Sequence, residues 1–417
     1  MSEPLVHIDA VDLAALADRL GTPLHVYSAS LLRERIATLT NALTGFDALI
    51  CYAAKANTNR AIVQMMAEAG LGADIVSEGE LERCLRAGMP ASRIVFSGVG
   101  KQAGEIDRAL DAGIARFNVE SHDELELLQQ RAHARNTTAR ASVRVNPDVD
   151  ALTHAKISTG KAENKFGVGI DEARRWFAHA GALDHVRLDG LHMHIGSQML
   201  NLEPVRAALR RMAELWRELV AAGHDIACID VGGGLGVPYR EGHDRGIDPA
   251  AYAAAIGEYL GDFGGRIVVE PGRWLVAEAG VLLSRVIRVK QGEQRRFLVL
   301  DAAMTELLRP SLYDAWHDIT AVGPDPRPPL AYDVVGPVCE TGDTFAVDRP
   351  VAECRSGDLV AIRCTGAYGA SMASTYNSRP LAAEVLVDQG RYAVIRQRQT
   401  LDAMLADERP AGDWATP

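Results

Sequence analysis

The sequence predicts an α/β fold: a (β/α)8 TIM-like barrel followed by an all-β domain of Greek-key or sandwich type. Three observations lead to this prediction. Short apolar runs alternate with longer helical patterns from about residue 24 to residue 280, which is typical of a barrel with parallel strands. After residue 279 the pattern changes to β-branched, alternating segments separated by turn residues, which indicates strands. The composition, with 47% hydrophobic and 24% charged residues in a chain of 417, is that of a globular protein.

Nine apolar runs in the first part of the chain have the length of buried strands. They are residues 24–27, 48–53, 72–75, 94–96, 116–119, 141–145, 188–192, 228–231 and 267–269. Helical patterns lie between them, at residues 30–43, 60–69, 78–87, 103–111, 121–135, 171–179, 202–222 and 249–263. Because a barrel of this type has eight strands, we assign the first run to the flanking domain.

The domain boundaries follow from these patterns. We expect residues 1–28 to pack with the β domain, residues 29–279 to form the barrel, and residues 280–417 to form the β domain. The strands predicted in the β domain are residues 281–289, 297–300, 331–335, 359–362, 383–387 and 392–396. Prolines predict a surface loop at residues 323–329, and residues 407–417 have the composition of a polar tail.

Charge and cysteine usage exclude several classes of protein. The formal net charge of -11 argues against nucleic acid as a partner, because phosphate binding needs clustered Lys and Arg. No apolar stretch approaches the length of a membrane span, and the first twelve residues lack the apolar core of a signal peptide. The chain has six cysteines without paired spacing, which predicts reduced thiols in a cytoplasmic protein.

Lys55 directly follows the predicted strand 48–53 and precedes a helical pattern that begins near Arg60. Asn57 and Asn59 provide the turn and the N-cap between them. Lys55 is therefore expected at the carboxyl end of a barrel strand, where such barrels have their active sites. A lysine at this place can anchor a cofactor covalently, although most lysines near strand ends only extend into solvent.

The string Leu191-His-Met-His-Ile-Gly-Ser-Gln198 ends another predicted strand. His192 and His194 lie on one face of it, because side chains alternate along a strand. Such histidines can stack on a ring, donate protons or bind a metal. No carboxylate or cysteine follows at the spacing that would complete a zinc site, and we predict no metal.

The string Asp230-Val-Gly-Gly-Gly-Leu-Gly236 also follows a predicted strand. Successive glycines let backbone N–H groups approach an anion closely. The string lacks the close-packed helix of a dinucleotide fingerprint, so it suits a monophosphate better. A loop that only needs positive φ angles explains the glycines equally well.

The string Val269-Glu-Pro-Gly-Arg273 ends the last predicted barrel strand. The guanidinium of Arg273 suits a phosphate or carboxylate, and Glu270 can bind a protonated ring nitrogen. An internal ion pair between Glu270 and Arg273 is the alternative. The β domain adds polar residues in apolar or small-residue surroundings, which capped turns or buried side chains also explain: Arg309, Tyr313, Cys339, Glu340 and Tyr368.

Eight strings of this kind occur in one order along the chain. They are Tyr52-Ala-Ala-Lys-Ala-Asn57, Gly72-Ala-Asp-Ile-Val-Ser77, Glu163-Asn-Lys-Phe-Gly167, His192-Met-His-Ile-Gly-Ser-Gln198, Asp230-Val-Gly-Gly-Gly234, Glu270-Pro-Gly-Arg273, Gly336-Pro-Val-Cys-Glu340 and Ser371-Met-Ala-Ser-Thr-Tyr-Asn-Ser-Arg379. In this combination the chain resembles the fold-type III pyridoxal-phosphate decarboxylases, and among them the diaminopimelate decarboxylases, over nearly its whole length. The resemblance implies an alanine racemase-like architecture.

The resemblance also implies a cofactor, pyridoxal 5'-phosphate, and residues that hold it. Lys55 would be its covalent anchor, His194 would stack on the pyridine face, and Glu270 would keep the ring nitrogen protonated. The other implied cofactor contacts are Asp74, Ser197, Gly233, Gly234, Pro271, Gly272, Arg273 and Tyr368.

The implied reaction is decarboxylation of meso-2,6-diaminopimelate to L-lysine and carbon dioxide. Lys55, His194 and Cys339 are the implied catalytic residues, with Cys339 as the proton donor. The implied substrate contacts are Arg273, Arg309, Tyr313, Glu340 and Tyr368. The resemblance further implies a head-to-tail homodimer with shared sites, in which Cys339 and Glu340 enter the partner's site.

Three alternatives remain open from the sequence. A decarboxylase of ornithine, lysine, arginine or carboxynorspermidine has the same fold, but Arg309 favours a substrate that ends in a carboxylate. An alanine racemase is expected to have an arginine in the place of Glu270. A non-catalytic pyridoxal-phosphate carrier is expected to lack the β domain.

Overall fold

The structure is a computed structural model that describes residues 5–150, 165–323 and 327–412. It forms two compact units. The barrel unit comprises Ala29–Ala279 and Gly366–Ser371, and the β unit comprises the described parts of Met1–Ser28, Gly280–Thr365 and Met372–Pro417. Residues 366–371 thus group with the barrel and not with the strands that flank them in the sequence.

Eight parallel strands close into a ring in the barrel unit. Each strand pairs with the next one along the chain, and the ring closes where Ile267 pairs with Ala48. The strands are Ala48–Ala53, Gly72–Ile75, Ile94–Phe96, Arg116–Val119, Ala139–Asn146, Val186–His192, Cys228–Asp230 and Arg266–Val269. The predicted barrel is confirmed. The two-residue strand Val168–Gly169 adds to the end of one of these strands.

Helices alternate with the barrel strands along the chain. They are Ala29–Ala42, Arg60–Glu68, Glu78–Arg86, Ala103–Ala112, His122–Ala134, Ile170–His179, Glu203–Ala221, Pro249–Leu260 and Arg273–Val276. Several begin at a side-chain cap: Asn59 accepts from the N–H of Ala61 at 3.0 Å, and Ser77 accepts from the N–H of Glu80 at 3.2 Å. Such caps satisfy N–H groups of the first helical turn, so the chain turns sharply from strand to helix. The functional side chains can therefore lie directly after the strands.

A buried ionic cluster surrounds Asp189 in the barrel unit. Its carboxylate lies 2.6 Å from Arg116 Nη1, 2.7 Å from Arg140 Nη2 and 2.8 Å from Arg187 Nε. The side chains of Asp189 and Arg116 are only 2% and 7% exposed. A buried charge is tolerated only when it is paired, so each of these two side chains needs the other.

Replacing Asp189 with alanine is expected to lower the free energy of unfolding by about 3–5 kcal/mol, because Arg116 would keep a buried charge without its carboxylate. Urea unfolding followed by circular dichroism measures this loss. Asp225→Ala is the control, since Asp225 is 75% exposed and pairs with Arg187 at the surface. Its expected cost is below about 1 kcal/mol. Equal losses in the two variants would contradict the assignment.

The β unit is built around the long strand Gly280–Gln291. This strand pairs in antiparallel fashion with Leu24–Ser28, Leu359–Ile362 and Arg296–Leu300. The other described strands are His7–Ile8, Val11–Asp12, Ile319–Ala321, Pro329–Val335, Thr344–Ala352, Ala383–Asp388 and Arg391–Arg396. The described helices are Leu13–Leu20, Arg309–Tyr313 and Leu401–Leu405. The unit is rich in sheet, as the sequence predicts.

The sequence pattern does not predict the strand Thr344–Ala352, and a bulge is the reason. Asp348 has a φ of 49°, and its N–H donates to Asp333 Oδ1 at 2.8 Å. The pairing of this strand with Pro329–Val335 shifts register nearby. Such a bulge breaks the two-residue alternation from which strands are predicted.

Some expectations fall outside the described residues. They concern Glu163 and the next residue of its string, residues 324–326 of the proline-rich loop, and residues 413–417 of the tail. In the part of the chain that the structure describes, helices are all too short or too polar to cross a membrane.

Candidate active site

Lys55 lies in the one-turn 3-10 helix Ala54–Ala56, directly after the first barrel strand. Its Nζ is 3.1 Å from Oδ2 of Asp74, whose side chain is fully buried on the neighbouring strand. Burial alone would lower the pKa of the Lys55 ammonium, but Asp74, Tyr368 and Glu270 outweigh it, so that the pKa is raised. About two fifths of the Lys55 side chain, 41%, remains accessible. The structure thus presents a charged, reachable amine against a buried carboxylate.

Tyr368 is anchored to the turn that carries Lys55. Its N–H donates to the carbonyl oxygen of Ala56 at 2.8 Å. Next to it, Asn57 Nδ2 donates to the carbonyl oxygen of Gly366 at 3.1 Å. Although Tyr368 lies in a part of the sequence where we predict the β domain, it belongs to the barrel unit.

Arg273 is buried at the carboxyl end of the last barrel strand. Its Nη2 donates to Ser197 Oγ at 3.0 Å, and its Nη1 donates to the hydroxyl of Tyr239 at 2.7 Å. Its guanidinium also lies over the ring of Tyr368, 4.8 Å from the centroid. The sequence motifs predict Arg273, Ser197 and Tyr368, but they do not include Tyr239. A tyrosine after a Gly-Val-Pro turn has no local signature, so only its contact reveals it.

Close backbone packing requires the glycines that follow the strand Cys228–Asp230. A Cβ at Gly233 would lie 2.1 Å from the carbonyl oxygen of Glu270. At Gly234, whose φ is +105°, a Cβ would lie 2.4 Å from the carbonyl oxygen of Gly196. The sequence left two explanations for these glycines open, a phosphate contact and the conformation of the loop itself. The close packing of the loop is sufficient to require them. A phosphate contact at these glycines remains a prediction.

His194 is held as a neutral ring. The N–H of Gly233 donates to its Nδ1 at 3.2 Å, so the ring proton lies on Nε2. Burial, and then the charges of Arg144 and Lys55, lower the pKa of His194 to about 3. At neutral pH the imidazole therefore presents an uncharged face.

Glu270 is buried within a set of hydrogen-bonding side chains from neighbouring strands. Its Oε2 is 3.3 Å from His192 Nε2, and its Oε1 accepts from Asn118 Nδ2 at 3.3 Å. Burial alone would raise the pKa of Glu270, but His192 and Lys55 outweigh it and lower the pKa below its ordinary value. Glu270 is therefore an anion across the physiological pH range. Neither Asn118 nor the contact with His192 is evident from the sequence.

The two residues after Glu270 pack on the turn that carries Lys55. The carbonyl oxygen of Pro271 accepts from the N–H of Ala53 at 3.1 Å. A Cβ at Gly272 would lie 3.0 Å from the Cβ of Ala53 and 3.1 Å from that of Ala56. Pro271 and Gly272 thus link Glu270 to the Lys55 turn through the backbone.

Asp230 joins His192 and Glu270 in a compact group, in which one ligand atom from each residue lies within 4.8 Å of the others. The spacing in the sequence shows no carboxylate near His192, but the ring of strands brings two of them to it. Burial first, and then the charge of Glu270, raise the pKa of Asp230 well above its ordinary value. The absence of a metal at these residues stays a prediction of the sequence.

Arg309 and Tyr313 lie in the β unit, at the two ends of the helix Arg309–Tyr313. Arg309 is 5% exposed, and its Nη1 is 2.7 Å from His317 Nε2. Tyr313 is more accessible than Arg309. His317 is a second residue that the motifs do not single out.

Cys339 and Glu340 lie on an exposed loop of the β unit. The N–H of Cys339 donates to Asn377 Oδ1 at 3.0 Å. The buried Asp343 accepts from the N–H of Val338 at 2.8 Å, which fixes the backbone next to Cys339. Glu340 Oε1 accepts from a backbone N–H of its own loop at 3.3 Å. Asn377 and Asp343 thus fix the backbone of the loop, and its exposed thiol and carboxylate belong to consecutive residues.

Comparison with known proteins identifies the family. Residues 29–277 match the family model described as pyridoxal-dependent decarboxylase, pyridoxal binding domain. The chain is 46% identical over 410 residues to the diaminopimelate decarboxylase of Zymomonas mobilis, which covers 98% of this chain and 97% of that protein. It is 48% identical over 400 residues to that of Pseudomonas aeruginosa, with 96% of each chain covered.

The chain belongs to the diaminopimelate decarboxylase family. Its cofactor is therefore pyridoxal 5'-phosphate, and its class is that of the carboxy-lyases. Solved structures of the family agree. The diaminopimelate decarboxylase of Helicobacter pylori, complexed with L-lysine, has a TM-score of 0.91 at 42% identity and covers 95% of this chain and 98% of that one. The M. jannaschii protein, also with L-lysine, has a TM-score of 0.92 at 35% identity, with 97% and 96% covered.

The barrel residues fit the family's cofactor chemically. An accessible amine at Lys55 is needed for covalent attachment, and the buried anion at Glu270 suits a protonated pyridine nitrogen. Arg273 and Ser197 are adjacent donors of the kind that bind a phosphate. The uncharged ring of His194 can lie against a cationic ring without electrostatic repulsion.

Proposed function

We propose that this protein decarboxylates meso-2,6-diaminopimelate to L-lysine and carbon dioxide. The observation that carries the proposal is the identity of 46–48% with diaminopimelate decarboxylases over at least 96% of the chain. Identity of this extent includes both the barrel and the β unit. Two alternatives therefore have no support: a non-catalytic carrier, which would lack the β domain, and an alanine racemase, which would have an arginine in the place of Glu270.

In the barrel unit, Lys55 is proposed to hold pyridoxal phosphate covalently, beside Asp74. Glu270 would keep a proton on the ring nitrogen, and His194 would lie against the face of the ring. When bound, the cofactor supplies an electron sink for the electron pair that remains when carbon dioxide leaves. The proposed phosphate contacts are Ser197, Gly233, Gly234, Arg273 and Tyr368, next to Pro271 and Gly272.

In this proposal three polar side chains each hold or donate a different proton. The anionic Glu270 would keep the ring nitrogen protonated, because its lowered pKa would prevent it from taking that proton back. The buried Asp74, 3.1 Å from Lys55 Nζ, would hold the amine of Lys55 in place and favour its charged form. The thiol of Cys339 donates the proton that replaces the lost carboxyl group.

The proposed substrate contacts bind the distal end of the substrate, which does not lose carbon dioxide. Arg309 and Tyr313, with Arg273 and Tyr368, are proposed to bind the distal carboxylate, and Glu340 to face the distal amine. A planar guanidinium binds a carboxylate through two hydrogen bonds, which favours a substrate with a carboxylate at this end.

The substrate specificity is tested with a panel of amino acids. We expect carbon dioxide release from meso-2,6-diaminopimelate, and rates at least about 100-fold lower with L-lysine and L-ornithine, because an unfilled polar site is costly. Release of labelled carbon dioxide measures the rates. Turnover of lysine or ornithine in preference to diaminopimelate would contradict the proposed substrate and leave the family unchanged.

We further propose a cytoplasmic homodimer in which Cys339 and Glu340 complete the site of the partner subunit. Mixing a Lys55→Ala chain with a Cys339→Ala chain tests this arrangement. We expect each variant alone to be inactive, and the mixture to recover up to about a quarter of wild-type activity, because one site of each mixed dimer is intact. The wild-type chain mixed with itself is the control. A mixture without recovered activity would contradict the shared site.

A further inference from the structure

His317 is a buried histidine of the β unit to which the proposed reaction gives no task. It is 0% exposed and follows the helix Arg309–Tyr313 closely in the sequence. Among the described residues, Arg309 lies at one nitrogen of its ring and the carbonyl oxygen of Arg363 at the other. These two contacts determine both its charge and its tautomer.

The first contact is with Arg309, whose Nη1 is 2.7 Å from His317 Nε2. A guanidinium has only N–H donors, so Nε2 must accept and cannot carry a proton. The second contact is with the carbonyl oxygen of Arg363, 2.8 Å from His317 Nδ1. A carbonyl oxygen can only accept, so Nδ1 carries the proton. The ring is therefore neutral, in a single tautomer, and acts as an acceptor for Arg309.

The backbone around His317 is held rigidly. The strand Ile319–Ala321 pairs with Leu359–Ile362, and the N–H of Arg363 donates to the carbonyl oxygen of Asp318 at 2.9 Å. Arg349 Nη1 donates to the carbonyl oxygen of His317 at 2.7 Å. The acceptor atom for Arg309 is consequently fixed by the sheet and not by a flexible side chain alone.

We propose that His317 is a positioning residue that orients Arg309 and thereby sets the preference for a substrate ending in a carboxylate. The proposal rests on the proposed function, in which Arg309 binds that carboxylate. An arginine side chain has several rotatable bonds, and each must be fixed for its planar fork to meet a carboxylate in two hydrogen bonds. The bond to His317 uses one N–H of the guanidinium and fixes its plane. It leaves the positive charge intact because the ring is neutral.

A pair of inhibitors isolates this effect. Removal of one carboxyl group from diaminopimelate leaves lysine with its other amino-acid end intact, so lysine keeps the carboxylate that Arg309 would bind. Cadaverine has the same carbon chain and both amines but no carboxylate. The ratio of their inhibition constants therefore reports on the carboxylate contact and cancels general damage to the site.

Two substitutions of His317 test the roles of its two ring nitrogens separately. His317→Asn can keep the bond to the Arg363 carbonyl, but its amide is too short to reach Arg309. His317→Gln can place its amide oxygen near the former Nε2 and accept from Arg309. With the pyridoxal-phosphate-loaded enzyme, we expect H317N to raise the KM for diaminopimelate and the inhibition constant of lysine about tenfold or more. The kcat and the cadaverine constant should change less than about threefold, and H317Q should lie closer to the wild type.

His25→Gln is the matched control, because His25 is also a buried histidine of the β unit, 1% exposed, on the strand Leu24–Ser28. It is expected to lower thermal stability without a change in the lysine-to-cadaverine ratio. Equal changes of both inhibition constants in H317N, or a lysine constant that equals the wild type, would overturn the positioning role. Absence of diaminopimelate turnover by the wild-type enzyme would instead overturn the proposed function, so the two failures are distinct.

Discussion

Replacement of Lys55 by alanine is expected to abolish carbon dioxide release, with kcat lower by on the order of 10³-fold or more, because no other group can hold the cofactor covalently in that place. The protein should stay folded, since about 41% of this side chain is accessible and its removal leaves no large cavity. The visible absorbance of the lysine-bound cofactor should disappear. Carbon dioxide release and the absorbance spectrum measure the two effects independently.

Lys55→Arg is the informative control for this prediction. Arginine keeps the positive charge next to the buried Asp74, whose carboxylate is 3.1 Å from the native amine, but it cannot form the covalent bond. The two variants should therefore lose activity equally, while only Lys55→Ala leaves Asp74 without a cation. If Lys55→Arg kept substantial activity, the charge and not the covalent bond would be the function of Lys55.

Replacement of Glu270 by glutamine is expected to lower kcat by roughly 10²–10³-fold, the effect of losing one preorganised charge at a reacting group. Glutamine has nearly the same shape, so the contacts with His192 and Asn118, each 3.3 Å from the carboxylate, can persist. It carries no charge to keep the ring nitrogen protonated. Cofactor content should remain close to the wild type, because Arg273 and Ser197 are unchanged.

Steady-state kinetics together with the absorbance of bound cofactor test this expectation. Glu278→Gln provides the comparison: Glu278 is 21% exposed and forms an ion pair with Arg35 at 2.6 Å. Its substitution should leave kcat within about twofold, because Glu278 pairs with Arg35 and not with a residue assigned to the site. A Glu270→Gln enzyme with wild-type kcat, or one that fails to retain the cofactor, would show that Glu270 does not act through the ring nitrogen.

The local pattern of the chain was sufficient to predict the barrel. An apolar run of the right length, a polar residue at its end and a capped helix after it form one repeated unit, and this unit is visible around Lys55 and Asn59. The β unit was less predictable. The bulge at Asp348 and the pairing of Ile319–Ala321 depend on partners far away in the sequence.

The candidate site, like the fold, is evident from the sequence only in part. Lys55, His194, Glu270 and Arg273 stand at strand ends, so their approximate location follows from the barrel itself. Their partners do not stand in any motif. The hydroxyl of Tyr239 bonds Arg273 across 34 positions of sequence, and Asn118 reaches Glu270 across 152.

The sequence by itself determined the fold class, the cofactor and the family, because these depend on local periodicity and on the order of short motifs. Only the tertiary structure decided the ionisation of the groups. Burial and charges from other strands lower the pKa values of Glu270 and His194 and raise that of Asp230. It also decided that Tyr368 belongs to the barrel unit and that His317 contacts Arg309. Such effects depend on distances in space, which the spacing of residues along a chain does not contain.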